Sequence, residues 1–538
     1  MLACLRSRNF ITDRWEETAV TQICKKGPRF GVASRRSILK SGAAILSAAV
    51  LATTSVQAQE GTPKDGGTLR IAQTADIQPN NILAGRGGNN PFRHNVFDSL
   101  TVLDSETGQP RGVLATDWSS SDDGLTFTVQ IRDDVTFHSG RPMTAEDVVY
   151  TLEQVAVPTN SSQMKPLVDE WISIEATGDY EVTITSETPI APRVFDVFQL
   201  AVIVDRETFG GLQDGSEVIG TGPFEFDSWS PGASVRMTRN EDYWDDPAHL
   251  EAVEINVIND STAMANALRG RVDMVLDLTP RDQVMFQGDP NIEIFNSPGG
   301  QFFPLGIDVT AEPFDNKALR QAIGYAIDRE RIIDQVMSGA GEAASVWWRS
   351  NETGSTDEIN SYYSYDPDRA RALIAEAGAE GTTVPINVIG YGSVPAIYEI
   401  VQNNLRDVGL VPQGQILETA AFDQRQTAGD LGASFMQIHG LQGFSAATLV
   451  DALPALRTNN PSKFDPPRYE ELKLALQSAQ GEEAYAAALQ ELANFMLDEA
   501  FSHVLIKAQP IGAKRVEVQD LEFDNTGFLH LADTWLDD

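Results

Sequence analysis

A neutral run of polar and aromatic residues, MQIHGLQGFSAAT, occupies positions 436–448. It lies in a longer window, residues 431–450, that contains no Asp, Glu, Lys or Arg, although the 538-residue chain has a formal net charge of -37. His439, Gln442 and Ser445 can donate and accept neutral hydrogen bonds, and Phe444 offers an apolar face. This set of groups suits the binding of a polyhydroxylated or amide-rich solute.

Signatures of catalysis and of metal binding are missing from the sequence. It contains no GxSxG elbow, no HExxH helix and no phosphate loop of the GxGxxG or GxxxxGK[ST] type. The six histidines show no pair at ligand spacing, although folding could bring His94 and His439 together. We therefore expect no catalytic residue, no metal site and no cofactor. A nickel or haem carrier and a secreted carboxylate-based hydrolase remain as alternatives.

Residues 1–58 are typical of an export signal behind a long leader. Arg35 and Arg36 precede an apolar run, residues 42–56, that ends in a small-residue cleavage motif, as in signals of the twin-arginine type. The run is short for a membrane span, which needs about 20 apolar residues. No Cys follows it to carry a lipid anchor. We expect a periplasmic protein, exported by the twin-arginine route and not lipid-anchored.

Cleavage after residue 58 makes the chain more acidic. It removes nine Lys or Arg and three Asp or Glu, so the net charge falls to -43, and it also removes both cysteines. A strongly acidic surface repels nucleic acid and anionic lipid, so neither is an expected partner. The mature chain can form neither a disulfide nor a zinc-thiolate site.

Strand and helix signals alternate along the mature chain, which predicts an α/β fold. Period-two alternation predicts half-buried strands at 125–131, 180–185 and 234–239. Capping and proline signals predict four helices. One begins after Thr144, one extends over 315–337 from a cap at Asp315, one begins at Pro367, and one extends over 482–499.

Eight short segments, in a fixed order, carry a resemblance to a known family. They are residues 95–101 (NVFDSLT), 114–118 (LATDW), 122–127 (DDGLTF), 131–140 (IRDDVTFHSG), 144–149 (TAEDVV), 220–224 (GTGPF), 239–244 (RNEDYW) and 319–329 (LRQAIGYAIDR). Together they resemble the extracytoplasmic solute-binding proteins of ABC importers, family 5, which include dipeptide, oligopeptide and nickel binders. The resemblance extends from about residue 66 to residue 535 and so covers nearly the whole mature chain.

The resemblance implies a two-lobed binding-protein fold of class II, the large type with an extra subdomain, whose lobes are joined by two crossing strands. Lobe I would comprise residues 59–104, 215–300 and 509–538, with the extra subdomain at 105–214. Lobe II would comprise 301–508 and include the crossing strands, 301–308 and 502–508. The implied function is capture of a solute by hinge closure and its delivery to a membrane permease. We expect a monomer whose ligand is a small molecule, an oligopeptide or an oligosaccharide.

The resemblance also indicates which segments line the cleft between the lobes: the loop after the first strand, a crossing strand and a loop late in lobe II. The candidate ligand-binding residues are Arg86, Asn89, Asn90, Arg93, Phe302, Trp347, Arg349, His439, Gln442, Phe444 and Ser445. Arg86 or Arg93 could pair with a ligand carboxylate. Because adjacent residues of an extended segment face opposite ways, one of Trp347 and Trp348 could line the cleft while the other packs in the core.

The late loop departs from the family pattern at one position. Peptide binders of the family typically show Gly-Trp-x-Gly-Asp there, and the carboxylate pairs with the free amino group of the ligand. In this chain residues 440–443 (GLQG) match the glycines, and Phe444 stands where the Asp is expected. A buried charge without its partner is costly, so we expect a free amine to be disfavoured unless Asp430 or Asp451 serves instead. A sugar-like ligand is therefore the alternative to a peptide-like one.

Overall fold

The computed structural model describes residues 62–84, 87–105 and 107–537. The predicted export signal and Arg86 lie outside these residues. Within them, no helix has the length and apolar character needed to cross a membrane. The described chain is a mixed α/β structure built on two seven-stranded sheets and one four-stranded sheet.

The first large sheet forms the core of what we call lobe I. Its strands, in spatial order, are Ile292–Asn296, Ile511–Arg515, Met274–Leu278, Thr68–Gln73, Ala252–Val257, Ser234–Arg239 and Phe224–Ser230. Thr68–Gln73 pairs in parallel with both of its neighbours. Its Ile71 and Ala72, which face opposite sides of the sheet, have no exposed surface, as expected for a central strand that is covered on both faces.

The second large sheet forms the core of lobe II. Its strands, in spatial order, are Glu342–Ala343, Ser502–Ala508, Gly300–Ile307, Ser434–Met436, Thr383–Ile389 and Val411–Leu417, and His439–Gln442 also pairs with Gly300–Ile307. The neutral segment 436–448 thus includes a strand, His439–Gln442, that lies beside the crossing strand Gly300–Ile307.

Two adjacent segments join the lobes. The chain leaves lobe I after Ile292–Asn296 and enters lobe II at Gly300–Ile307, and it returns from Ser502–Ala508 to Ile511–Arg515. Gly300–Ile307 and Ser502–Ala508 are antiparallel neighbours, with Gln301 opposite Ala508. Such paired crossings, with few residues between the sheets, are suited to a hinge.

The four-stranded antiparallel sheet lies within residues 105–214, the segment that the sequence analysis assigns to an extra subdomain. Its strands, in spatial order, are Ala115–Ser120, Thr126–Ile131, Glu181–Ser186 and Trp171–Gly178. Phe127, Val129 and Ile184 alternate with polar residues and are buried, which is the pattern of a sheet with one covered face.

Three predicted helices are confirmed and one is wrong. The confirmed helices are Ala145–Ala156 with its capping box at Thr144, Pro367–Glu376 capped by Asp366, and Glu482–Glu499. The segment 315–337 forms two helices, Lys317–Ala326 and Arg329–Gln335, because Asp328 accepts a hydrogen bond from the backbone N–H of Arg331 and starts a second helix. Asn316 rather than Asp315 caps the first of them.

The remaining α-helices are Asn90–Val96, Lys165–Val168, Val194–Leu200, Phe209–Asp214, Ser261–Ala267, Pro280–Gln283, Asp357–Asn360, Val394–Asp407, Thr419–Thr427, Ala446–Ala452 and Pro467–Gln477. Three two-stranded ribbons complete the described structure. They pair Thr101–Leu103 with Pro110–Gly112, Val518–Gln519 with Trp535–Leu536, and Glu522–Phe523 with Leu529–His530. The last ribbon encloses a turn at 524–528, which contacts both lobes.

Candidate ligand-binding cleft

A short helix of lobe I, Asn90–Val96, carries a buried cation. Arg93 has no exposed surface, and none of its three guanidinium nitrogens has a hydrogen-bond partner in the described structure. Burial lowers the pKa of Arg93 to about 9, and the negative charge of Asp524 opposes this shift. Arg93 is therefore still charged at neutral pH, as a cation without a bonded anion.

His94, the next residue of this helix, is a neutral ring at physiological pH. It stacks on Phe528 with ring centroids 4.2 Å apart, and its centroid lies 5.6 Å from that of His530. Burial and the charge of Arg93 hold the pKa of His94 well below its usual value. Its Nε2 has no hydrogen-bond partner within the described residues, so it can donate to or accept from a ligand according to tautomer.

Three of the family segments position this helix. A Cβ atom at Gly220 would lie 1.9 Å from the carbonyl oxygen of Val96, so only glycine allows the approach. Just after the helix, the Asp98 carboxylate accepts hydrogen bonds from Thr221 Oγ1 at 3.0 Å and Trp244 Nε1 at 2.9 Å. The segments 95–101, 220–224 and 239–244 thus meet at Asp98 and fix the helix that carries Arg93.

The wall contributed by lobe II is aromatic and neutral. The ring of Trp347 lies 5.4 Å from that of Phe302 and 5.8 Å from that of His439, centroid to centroid. Trp347 Nε1, His439 Nε2 and both amide atoms of Gln437 are buried without partners among the described residues. Burial lowers the pKa of His439 to about 4, and the charge of Arg457 acts in the same direction, so this ring is also neutral.

A buried arginine from segment 319–329 holds the chain that leads to Trp347. Arg329 donates to the carbonyl oxygens of Ala344 at 3.0 Å and Tyr363 at 2.7 Å. Trp347 and Trp348 are both only 1% exposed. Both rings are enclosed, and Trp347 is the one that contacts Phe302 and His439, so that one of them lines the cleft stays a prediction.

Ser445 bridges the lobes instead of standing free in the cleft. Its Oγ donates to Asp196 Oδ2 at 2.6 Å, and its backbone N–H donates to the same oxygen at 3.1 Å. Asp196 belongs to helix Val194–Leu200 in the extra segment and is 1% exposed. Burial raises the pKa of Asp196 to about 6, although the hydrogen bonds from Ser445 and Thr448 oppose this. We call the Asp196–Ser445 contact the interlobe latch.

Arg349 is committed to a partner next to this latch. It donates to Glu352 Oε2 from Nη2 at 2.7 Å and from Nε at 3.1 Å. The other oxygen of Glu352 accepts from the Tyr485 hydroxyl at 2.7 Å. Only Nη1 of Arg349 remains without a partner in the described structure. A pocket of about 390 Å³ opens beside Arg349 and Glu352, between the extra segment and lobe II.

Phe444 is 4% exposed and belongs to an apolar cluster formed by residues of lobe II and of the segment 105–214. Neither of the two acids that could have replaced the expected Asp is both buried and unpaired. Asp430 is exposed, and Asp451 lies 3.0 Å from Lys473 Nζ. Within the described residues, the buried atoms without partners include no carboxylate oxygen.

The other predicted residues differ in their placement. Asn89 is used by its own loop, since its Oδ1 accepts from the N–H of Gln78 at 2.8 Å and its Nδ2 donates to the carbonyl of Gln78 at 3.1 Å. Asn90 has a buried Oδ1 without a partner among the described atoms. Arg86 lies outside the described residues, as does the side chain of Gln442.

The turn at 524–528, which the sequence analysis did not single out, closes one end of the cleft. Phe528 stacks on His94, and the Asn525 side-chain amide donates to the carbonyl of Gly443 in the late loop of lobe II at 2.5 Å. Gly443 has φ +107°, and a Cβ there would lie 2.6 Å from the Asn525 carbonyl. The lobes are therefore in contact at this turn. The sequence carries no local signal that predicts the turn.

Two lobes joined by paired crossings, with polar groups enclosed between them, define a hinged binding protein. The chain belongs to the bacterial extracellular solute-binding proteins, family 5, whose model matches residues 109–451. Members of this family are periplasmic solute-binding components of ABC importers, and the family is one of binding proteins rather than enzymes.

Similar proteins bind chemically different ligands. The chain is 27% identical to di/tripeptide-binding protein 1 of Pseudomonas aeruginosa over 412 residues, which cover 70% of this chain and 76% of that protein. It is 26% identical to heme-binding protein A of Haemophilus influenzae over 386 residues, or 66% of this chain and 70% of that one. The fold is similar to that of the Listeria monocytogenes substrate-binding protein CtaP, with a TM-score of 0.78 at 21% identity, over 88% of this chain and all of that one.

Proposed function

We propose that this chain captures a peptide-like or other small polar solute between its lobes and delivers it to the permease of an ABC importer. The observation that carries the proposal is the set of buried polar groups without partners among the described residues of the two lobes, at Arg93, His94, Trp347, Gln437 and His439. Buried polar atoms in native proteins are normally hydrogen-bonded, so these groups are suited to bind a ligand. The names of the peptide-binding relatives support the peptide-like class.

A sugar-like ligand is the second candidate. The neutral groups Gln437 and His439 beside the ring of Trp347 favour hydroxyl or amide recognition with an apolar ring face. Phe444 at the position of the expected acid also favours a sugar-like ligand, because it leaves a ligand ammonium without its usual counter-charge. Free dipeptides are therefore expected to bind more weakly than solutes that lack an amino group.

Carriage of haem or nickel and hydrolysis are weaker proposals. Within residues 62–84, 87–105 and 107–537, no group of three or more His, Cys, Asp or Glu is arranged to hold a metal ion. Because the chain is similar to heme-binding protein A, haem should be included among the ligands that are tested.

We further propose that the protein is monomeric and not lipid-anchored, and that it reaches the periplasm by the twin-arginine route. The support is the order of Arg35, Arg36, the apolar run at 42–56 and the cleavage motif. Replacing Arg35 and Arg36 with lysine should retain the precursor in the cytoplasm, and cell fractionation with an antibody would measure this.

The test of the proposed function is to identify a captured solute. The protein from residue 59 onward is purified under native conditions. Native mass spectrometry then measures its mass before and after unfolding and refolding. A mass difference that disappears on unfolding identifies the solute, and calorimetry with the refolded protein then gives its affinity. Absence of any captured solute from periplasmic extract, or turnover of the solute by the protein, would overturn the proposal.

A further inference from the structure

We infer that the solute carries an oxyanion, a carboxylate or a phosphoryl group, that pairs with Arg93, and that it needs no ammonium group. This inference rests on the proposed function and narrows its class of ligand.

Arg93 differs from the other buried arginines of the described structure. Arg329 donates to five carbonyl oxygens, Arg320 pairs with Glu499, and Arg193 pairs with Glu170. Each of these three makes the contacts that a folded protein usually provides for a buried cation. The guanidinium group of Arg93 lies over the ring of Phe528, 5.6 Å from its centroid, but makes no hydrogen bond, so its charge lacks the hydrogen-bond acceptors that the fold gives to the others.

The acid whose charge acts on Arg93 does not supply these contacts. Asp524 acts on Arg93 by its charge, but its Oδ1 accepts from Thr526 N–H at 2.9 Å, Thr526 Oγ1 at 2.9 Å and Phe528 N–H at 3.0 Å. These bonds shape the turn at 524–528. Asp524 therefore attenuates the cost of burying Arg93 without bonding to it, and the guanidinium nitrogens remain available to an anion.

The neighbouring groups fit an oxyanion on Arg93. A guanidinium group presents parallel N–H donors that match two oxygens of a carboxylate or phosphate. His94 adds a neutral Nε2 on the same helix, whose pKa is held low partly by Arg93. The buried partnerless atoms of the described residues include those of Arg93 but no carboxylate oxygen, so these atoms offer a cation to the ligand and no acid that would pair with a ligand ammonium.

Matched peptides and variants test the inference. The probes are trialanine, N-acetyl-trialanine and N-acetyl-trialanine amide, with sodium acetate and inorganic phosphate as minimal oxyanions. The proteins are wild type, Arg93→Gln and Arg93→Lys, with Arg236→Gln as a control because Arg236 is a partly exposed residue of strand Ser234–Arg239 that pairs with Asp227. Calorimetry gives the affinities, and thermal unfolding at constant ionic strength gives the response to acetate and phosphate.

We expect amidation of N-acetyl-trialanine to weaken binding to wild type by at least about tenfold, which corresponds to the loss of a charge-assisted hydrogen bond. N-acetylation should cost less than the amidation does. Arg93→Gln should bind N-acetyl-trialanine and N-acetyl-trialanine amide with equal affinity. The effect of amidation on binding to Arg93→Lys should lie between the effects on Arg93→Gln and on wild type. Arg236→Gln should respond to amidation as wild type does. A thermal shift with acetate alone would assign a carboxylate ligand, and one with phosphate alone would assign a phosphoryl ligand, provided that Arg93→Gln abolishes it.

The two levels of the proposal can fail separately. If a captured solute binds wild type and Arg93→Gln with the same affinity, or neither oxyanion stabilises wild type more than Arg93→Gln, the inference is wrong and the binding function stands. If no solute is captured from extract and no probe binds any of the proteins, the binding function itself is wrong.

Discussion

At the scale of single residues, Arg93 makes the ligand-free protein less stable than its fold would allow. Its pKa of about 9 keeps it charged throughout the physiological range while it is fully buried. A buried charge that lacks its partner costs several kcal/mol, and an anionic ligand would offset that cost on binding. Arg93 therefore lowers the stability of the ligand-free protein and raises its affinity for an anionic ligand, as residues of binding sites often do.

Arg93→Met should raise the free energy of unfolding of the ligand-free protein by about 1–4 kcal/mol while it weakens capture of an anionic solute. The physical reason is that methionine fills much of the same volume without a charge to desolvate. Thermal and urea unfolding of refolded, solute-free protein would measure the change. Arg236→Met, which removes a solvated ion pair, should change stability by less than about 1 kcal/mol. A destabilised Arg93→Met would mean that Arg93 has a structural role.

Asp196 gives closure a pH dependence of defined sign. Burial raises its pKa from 3.8 to about 6, with Arg349 opposing and Glu352 reinforcing the shift. Because opening exposes the carboxylate to water, the closed form binds the proton more tightly. The resulting stabilisation of the closed form is complete below pH 3.8 and is lost as the pH rises through about 6.

Affinity for the captured solute should therefore increase by up to about tenfold between pH 7 and pH 5, because the closed form takes up a proton below its pKa of about 6 while the open form stays ionised. Asp196→Asn keeps an acceptor for Ser445 but cannot titrate, so its affinity should be flat over the same range. Calorimetry at constant ionic strength would measure both. Equal pH profiles for the two proteins would assign the dependence to another group.

At the scale of elements, the helix Asn90–Val96 depends on a close backbone contact. Gly220 allows the segment 220–224 to lie directly against the end of the helix, and Asp98 then ties that segment to the motif at 239–244. Segments that contain no ligand-binding residue thus determine where Arg93 and His94 are placed.

Gly220→Ala should lower stability by about 1–3 kcal/mol, the usual cost of overpacking, and should also weaken solute binding because the helix must move. Gly210→Ala is the matched control, since a Cβ there meets nothing within 4 Å and the residue lies in helix Phe209–Asp214. That control should be neutral or gain up to about 1 kcal/mol. Unfolding and binding measurements on both variants would test this, and a binding loss in both would contradict it.

Local signals predicted elements well and long-range contacts poorly. Thr144 and Asp366 mark helix starts because a cap acts within one turn, but the apolar spacing over 315–337 extended past Asp328, where a second cap divides the segment. Arg93, Phe302 and Trp347 were found through the family pattern. The latch joins residues 249 positions apart, and the turn at 524–528 lies more than 400 positions from the helix it contacts, so neither has a local signature.

At the scale of the whole molecule, closure is held by contacts outside the proposed oxyanion site. The interlobe latch joins the extra segment to the start of helix Ala446–Ala452, and Asn525 joins the C-terminal turn to Gly443. Hinge closure that makes or breaks these contacts is the kind of change that a permease can select. The contacts can therefore alter affinity without touching the solute.

Ser445→Ala should weaken solute affinity, mainly through faster dissociation, because it removes a hydrogen bond to a buried carboxylate in the closed form only. A loss of about tenfold is expected from that bond. Stopped-flow dissociation and small-angle scattering, which should show a larger radius with solute present, would measure it. Ser364→Ala, which removes a hydroxyl from an exposed turn, is the control and should leave both unchanged.

The dependence of the cleft on residues 524–528 has a consequence for biosynthesis. Asn95 donates to the carbonyl of Leu529, a partner 434 positions later in the chain, and Phe528 covers His94. The sheet strands up to Ile511–Arg515 are translated before this turn, whereas one end of the ligand site is assembled only after it. A chain that lacks this turn would therefore also lack one end of the ligand site, so retention of a solute depends on the last residues to be synthesised.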